Sequence, residues 1–165
     1  MTRSLLALLA VSAAALATPS LAAEFKSGDV TVENPWARAT PKGADVGAGY
    51  LTIRNNGVAP ERLTGGSADF ASVEVHEMKI ENGVMKMREM KDGLAIPAHG
   101  TVKLAPGGYH IMFTHLTKPL TKGETVKATL NFEHTVPLPV EFAVEGVGAA
   151  GPAGAKGGKM GGMKM

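Results

Sequence analysis

Residues 72–90, SVEVHEMKIENGVMKMREM, decide the fold, because two runs of mixed apolar and charged residues flank the dipeptide Asn82-Gly83. Asn-Gly is the strongest short signal for a two-residue β-hairpin loop, since both residues adopt positive φ at low cost. We therefore predict a hairpin over this stretch, with two antiparallel strands and with Glu81 opposite Val84.

The predicted hairpin has two unlike faces. Side chains alternate between faces along a strand, so this register places Met78 opposite Met87, with His76 as a diagonal neighbour of Met87. One face gathers a histidine and three methionines, namely His76, Met78, Met85 and Met87. Val73 and Val75 lie on the other face, which is therefore the better candidate for the core. The His/Met face is left free for another role.

The rest of the chain from Gly28 to about Val144 has the rhythm of an all-β protein. Short runs of β-branched and aromatic residues alternate with Gly, Pro and Asn, and no segment shows a sustained helical period. Eight strands are predicted: Val30–Glu33, Gly47–Asn55, Ser72–Ile80, Val84–Met90, Thr101–Leu104, His110–Thr114, Thr125–Phe132 and Leu138–Val144. Eight short strands joined by tight turns favour a Greek-key sandwich or a small barrel.

The first 22 residues are typical of a secretory signal peptide. Arg3 precedes an apolar run of about fourteen residues, which is too short to span a bilayer. Ser20 and Ala22 suit cleavage after Ala22, and cleavage one residue later is nearly as good, so the mature chain is expected to begin near Glu24. An uncleaved anchor is disfavoured because Pro19 interrupts the run. We expect export to the periplasm, a cleaved signal and no stable membrane span.

The remaining residues divide into one domain and a tail. Residues 24–145 are predicted to form the β domain. Residues 146–165 consist almost wholly of Gly, Ala, Lys and Met, which offer little to bury, so this segment is expected to be a disordered tail. The tail holds three methionines, Met160, Met163 and Met165, and no histidine.

Composition excludes several classes of function. The 165-residue chain has a formal net charge of +2, which leaves no surplus of cations for a nucleic-acid partner. It has no cysteine, which excludes disulfides, thiolate zinc sites, iron–sulfur clusters, thiol nucleophiles and Cys-ligated blue copper. No nucleophile elbow, paired-carboxylate motif or phosphate-binding loop stands in a convincing context. We therefore expect a protein that is not an enzyme.

The five histidines and nine methionines are the unusual part of the inventory. A second pair, His110-x-Met112, shares one face of a strand that follows the turn at Gly107 and Gly108. Thioether sulfur is soft and uncharged, so it favours Cu(I) over Zn²⁺, Mg²⁺ or Ca²⁺. Taken singly, His76 could be a surface residue, His110 a satisfied histidine at a strand end, and each Met a filler of core gaps. Together they favour a copper site.

These residues resemble the periplasmic copper chaperone family PCuAC, whose hallmark is a His and a Met followed by His-x-Met. Here His76 is followed by ten residues, Met87, twenty-two residues and then His110-x-Met112. The similarity extends from about Val30 to Val144 and includes Asn34-Pro35-Trp36-Ala37-Arg38, Ala48-Gly49-Tyr50-Leu51-Thr52-Ile53, Val75-His76-Glu77-Met78, Ile96-Pro97-Ala98 and Pro106-Gly107-Gly108-Tyr109-His110-Ile111-Met112. The one extra residue before His110 is most simply placed in the turn at residues 90–93.

The resemblance implies a cupredoxin-like β fold that binds one Cu(I) ion. The implied ligands are His76, Met87, His110 and Met112, with Met78 and Met85 as spare candidates. The implied role is delivery of copper towards the binuclear copper centre of a haem-copper cytochrome oxidase. The partner would be the oxidase subunit that holds that centre or an intermediate copper carrier, and we expect the protein itself to be a monomer.

Two other functions fit the same residues. A periplasmic copper buffer or resistance protein would bind most of its copper through the tail methionines. An electron-transfer cupredoxin is the weaker alternative, because its copper centre requires the cysteine that this chain lacks. Trp36 and Tyr50 could either anchor the core or shield the site, and aromatic residues of this kind more often belong to the core.

Overall fold

The computed structural model describes residues 23–153, and every regular element in this range is a β-strand. The eleven strands are β1 (Glu24–Ser27), β2 (Val30–Arg38), β3 (Val46–Asn55), β4 (Glu61–Ala68), β5 (Ala71–Glu81), β6 (Val84–Glu89), β7 (Leu94–Ile96), β8 (Thr101–Leu104), β9 (Tyr109–Thr114), β10 (Thr125–Phe132) and β11 (Leu138–Glu145). The predicted all-β class is confirmed. The predicted signal peptide, residues 1–22, lies outside the described residues, as do the tail methionines at positions 160, 163 and 165.

Seven of the strands close into a barrel. Their order is β2-β11-β10-β4-β5-β9-β3, and β3 pairs with β2 to complete the circle. Neighbouring strands are antiparallel except for β11 and β2, which are parallel. The other four strands extend from this barrel, and closure protects the long strands from edge-to-edge pairing. Over residues 23–153, no helix has the length and apolar character needed to cross a membrane.

Three strands, β1, β4 and β7, were not among the eight predicted. Strand β4 was not predicted because its two adjacent glycines, Gly65 and Gly66, are more typical of a turn than of a strand. A Cβ at Gly66 would lie 2.3 Å from the carbonyl oxygen of Thr129 on β10, so glycine is needed there for close approach of two strands. The β4–β10 pairing also shifts register between Asn131 and Phe132, which marks an irregularity that alternation rules do not foresee.

The core fixes which side chains of β5 and β9 point outwards. Phe113 is fully buried, and its ring centroid lies 5.4 Å from those of both Phe70 and Phe142. Val75 and Ile111 also belong to this core cluster. Since side chains alternate along each strand, the even-numbered residues of β5 and β9 lie on the opposite face, outside the barrel.

The first part of the predicted tail contacts the barrel. Two hydrogen bonds hold residues 146–153. The Nε atom of Arg38, on β2, donates to the carbonyl oxygen of Ala149 at 2.9 Å. The backbone N–H of Ala153 donates to the Glu145 carboxylate, also at 2.9 Å. Disorder of residues 154–165 stays a prediction, because those residues lie outside the described range.

Glu61, at the start of β4, is a buried carboxylate that should stabilise the fold in a pH-dependent way. It accepts four hydrogen bonds, from the backbone N–H groups of Arg62 and His134, from Thr135 Oγ1 and from the His134 ring. Burial alone would raise the pKa of Glu61, but these hydrogen bonds outweigh that effect and lower it. The folded pKa is then below the unfolded one, so ionised Glu61 contributes stability above the unfolded pKa.

We predict that Glu61→Gln lowers the free energy of unfolding at neutral pH by about 1–3 kcal/mol, since hydrogen bonds to a charged acceptor are replaced. The deficit should shrink as the pH falls through the folded pKa of Glu61. Urea titrations at several pH values measure this, with Glu133→Gln as the control, because Glu133 forms only an exposed ion pair with Arg62. A deficit independent of pH would contradict the proposed contribution of the charge.

Candidate metal centre

The two histidines of the predicted site lie directly opposite each other on neighbouring strands. Strand β5 pairs with β9 so that His76 is the partner of His110, and the centroids of the two rings are 5.8 Å apart. On its other side, His76 is the partner of Glu89 on β6. The predicted hairpin register is confirmed, with Met78 opposite Met87.

The hydrogen bond of His110 determines which of its ring nitrogens is free to bind a metal. Its Nδ1 lies 3.2 Å from the carbonyl oxygen of Gly108. A carbonyl can only accept, so Nδ1 carries the hydrogen and Nε2 carries the lone pair. The pKa of His110 is lowered. Burial is the largest cause, the charge of His76 acts in the same direction, and the hydrogen bond to the Gly108 carbonyl opposes both. The neutral imidazole, which is the form that binds metals, is thereby favoured.

His76 contains an unsatisfied buried atom. Its Nε2 lies 2.8 Å from Oε2 of Glu74, whereas its Nδ1 is buried and has no hydrogen-bond partner. An unpaired buried acceptor costs about 1–3 kcal/mol, so such atoms are rare in folded proteins unless something else occupies them. A metal ion bound to Nδ1 would satisfy this atom, and the residues present therefore fit a metal.

The two sulfur ligands predicted from the sequence have different settings. Met112 is buried, with 9% of its surface exposed, and lies on the same face of β9 as His110. Met87 is 48% exposed on β6, a strand whose residues are all exposed. Met85 is 61% exposed and lies farther along the hairpin, opposite Ile80. We call residues 78–87, the end of the β5–β6 hairpin, the hairpin arm.

The structure groups three of the four predicted ligands and leaves the fourth on the hairpin arm. His76 and His110 are cross-strand partners, and Met112 is two residues from His110 on the same face. Met87 is level with Met78, whereas Met112 is level with Glu74. In a flat sheet, this places their Cα atoms about 14 Å apart along the strands and about 10 Å apart across them. Bending of the hairpin arm over His76 would therefore be needed to bring Met87 to the group.

An aromatic row that the sequence analysis did not connect with the site continues from His110. Tyr50 on β3 has its ring centroid 6.5 Å from that of His110 and 4.6 Å from that of Trp36. The guanidinium of Arg38 lies 5.6 Å from the Tyr50 ring. Trp36 and Tyr50 are both buried, as expected of core residues, but they lie on the outer face with His110 and not in the hydrophobic cluster inside the barrel.

Glu74 is the residue near the site that sequence reasoning missed. Its carboxylate contacts His76, and it faces Met112 across the β5–β9 pairing. The signal that could have found it is the period of two, which places residue 74 on the same face as residue 76.

The other three histidines lie elsewhere. His99 and His115 adopt positive φ outside the strands, and His134 contacts Glu61. His134 and Glu61 line a cleft of about 540 Å³ at the end of the barrel near Asn55, and none of the four predicted ligands lines it. The metal-binding side chains are gathered around His76, away from this cleft.

Residues 30–144 match a protein family described as "LpqE-like: Putative lipoprotein LpqE-like". A relative from Leifsonia xyli subsp. xyli (strain CTCB07), named "Putative lipoprotein Lxx21020", is 35% identical over 117 residues. The aligned region covers 70% of this chain and 69% of that relative. The family match includes all four predicted ligands.

Solved structures of copper-binding domains share the fold. The copper-bound PCuAC domain from PmoF2 is 30% identical, with a TM-score of 0.63, and the match covers 75% of this chain and 98% of that domain. The solution structure of CuI-DR1885 from Deinococcus radiodurans is 32% identical, with a TM-score of 0.53, covering 67% of this chain and 74% of that one. The predicted cupredoxin-like fold is confirmed by these likenesses.

Proposed function

Because the chain belongs to the LpqE-like family and shares its fold with copper-bound PCuAC domains, we propose that it is a metallochaperone that binds one Cu(I) ion as cargo. The observation that carries the proposal is the unpaired, buried Nδ1 of His76, whose ring has its centroid 5.8 Å from that of His110. The ligands are His76, His110 and Met112, with Met87 as the fourth.

The ligand types support copper in its reduced state. Two neutral imidazoles and two thioethers add no negative charge, and soft sulfur favours Cu(I). A d¹⁰ ion imposes no strict coordination geometry. It therefore tolerates a site in which two ligands, His110 and Met112, are buried and a third, Met87, is exposed. Thioethers need no deprotonation and do not form disulfides, which suits a protein exported to an oxidising compartment.

The exposure of the ligands suggests how the ion is transferred. Met87 is the most exposed of the four ligands, and its strand pairs with β5 alone among the described strands. An acceptor protein can approach from that side and replace Met87 as a ligand before it displaces the buried Met112. Each exchange then replaces one donor by another, so the ion need not leave its ligands all at once.

We further propose export to the periplasm and delivery towards the binuclear copper centre of a haem-copper cytochrome oxidase. The acceptor would be the oxidase subunit that holds this centre or an intermediate copper carrier. Family membership and the predicted signal peptide support export, and the delivery step rests on the resemblance to PCuAC proteins. The protein acts as a monomer and carries out no catalysis.

Met87→Ala should weaken Cu(I) binding about tenfold or more, since it removes a ligand while the barrel keeps the other three. Competition with a Cu(I)-specific colorimetric chelator measures the affinity and should show one tight site per domain. Met85→Ala is the matched control, because Met85 is on the same strand and is also exposed, at 61% against 48% for Met87, but lies farther along the arm. Equal affinities for Met87→Ala and the native chain would remove Met87 from the ligand set.

Truncation of the tail distinguishes the chaperone from a copper buffer that would bind its copper through the tail methionines. A chain that ends at Ala153 keeps every described residue and loses the three tail methionines. The chaperone proposal expects this chain to retain the one tight site. Loss of most of the copper capacity would favour the buffer.

A further inference from the structure

We infer that Glu74 is a positioning residue that determines which nitrogen of His76 binds the ion: it holds the Nε2 hydrogen and leaves Nδ1 as the coordinating atom. This inference rests on the proposed function. It assigns His76 and His110 different coordinating atoms, Nδ1 in the first and Nε2 in the second.

The carboxylate of Glu74 is fixed from two sides. Its Oε2 lies 2.8 Å from Nε2 of His76, and its Oε1 accepts a hydrogen bond from Oγ1 of Thr114 at 3.2 Å. Thr114 is on β9, so the carboxylate links the two central strands of the site. A carboxylate held at both oxygens cannot rotate away from the histidine without breaking one of these contacts.

The hydrogen bond dictates the tautomer of His76. An ionised carboxylate only accepts hydrogen bonds, and a neutral imidazole carries one N–H, so that hydrogen belongs on Nε2. The lone pair is then on Nδ1, which is the buried atom without a partner. Metal-binding histidines commonly donate their other N–H to a carboxylate or a carbonyl, which orients the ring and strengthens the ligand.

His110 shows the same arrangement with the nitrogens exchanged. Its Nδ1–H faces the carbonyl of Gly108, which leaves the lone pair on Nε2. The two rings are cross-strand partners with centroids 5.8 Å apart. The inference therefore predicts a mixed pair of coordinating nitrogens, set by one carboxylate and one backbone carbonyl.

Long-range ¹H–¹⁵N spectra of the full chain with ¹⁵N-labelled histidine test the assignment. In the apo protein, His76 should be a single Nε2–H tautomer, and Glu74→Ala should give a mixture. On addition of Cu(I), the large ¹⁵N shift should fall on Nδ1 of His76 and on Nε2 of His110. Competition with the chelator should show a loss of affinity of about tenfold to a hundredfold for Glu74→Ala and a smaller loss for Glu74→Asp.

The matched control is Glu89→Ala, because Glu89 is a second glutamate next to His76, as its partner on β6, is exposed, and among the described residues forms no hydrogen bond with that ring. It should keep the native tautomer and affinity. A shift on Nε2 of His76 with copper bound, or an unchanged tautomer and affinity in Glu74→Ala, would overturn the inference alone. Absence of any histidine shift on addition of Cu(I) would instead overturn the proposed function on which it rests.

Discussion

His76→Ala is expected to weaken Cu(I) binding by more than about a hundredfold, which exceeds the loss typical for a residue outside the ligand set. His76 is central, since its ring faces His110 on one side and Met87 is its diagonal neighbour on the other. The measurement is chelator competition on the native and variant chains. The barrel should fold normally, because His76 lies on the outer face and is absent from the hydrophobic core.

The stability of the apo variant gives a second readout. His76→Ala removes a buried nitrogen that has no partner and also the hydrogen bond to Glu74; because these two effects on the free energy of unfolding oppose each other, the apo melting temperature should change little. His99→Ala is the control, because His99 is an exposed histidine outside the site. Native affinity in His76→Ala would exclude this residue as a ligand, and native affinity in His99→Ala shows that the loss is specific.

Phe113→Ala should lower the free energy of unfolding by about 3–5 kcal/mol, the range for truncation of a buried aromatic residue. Phe113 is fully buried and packs against Phe70 and against the edge of Phe142. For a domain of this size, the loss corresponds to a drop in melting temperature on the order of 10–20 °C. Urea unfolding followed by circular dichroism measures it.

Phe113→Leu is the graded control, since it keeps most of the buried volume and should cost clearly less. Phe113 and Met112 are neighbours on opposite faces of β9, so the same substitution tests how far the core supports the site. Saturating Cu(I) should raise the melting temperature of Phe113→Ala, because a ligand that binds only the folded state stabilises it. A loss of less than about 1 kcal/mol would contradict the central place of Phe113 in the core.

Local patterns predicted the elements whose signals are local. Asn82-Gly83 specified the loop of the hairpin, and the loop specified that Met78 faces Met87, as the structure has it. The alternation of His110 and Met112 likewise placed both residues on one face. The all-β class followed from turn residues and short apolar runs.

The remaining features depend on contacts between residues distant in sequence. The pairing of His76 with His110 joins segments that are separated by β6, β7 and β8, and no turn specifies its register. The distance between Met87 and Met112 depends on the same pairing. Only that pairing shows that Met112 is a diagonal neighbour of His76 on β9, whereas Met87 is a diagonal neighbour on β6. Gly66 hid strand β4 from sequence analysis, because a glycine that allows two strands to approach closely cannot be told by sequence from a glycine in a turn.

The aromatic row beside the site gives the protein a built-in optical reporter. The sequence contains one tryptophan, so all indole fluorescence comes from Trp36. Trp36 contacts Tyr50, which in turn neighbours His110. We therefore expect the emission of the unlabelled chain to change when copper enters or leaves the site, including during a transfer to an acceptor that lacks tryptophan.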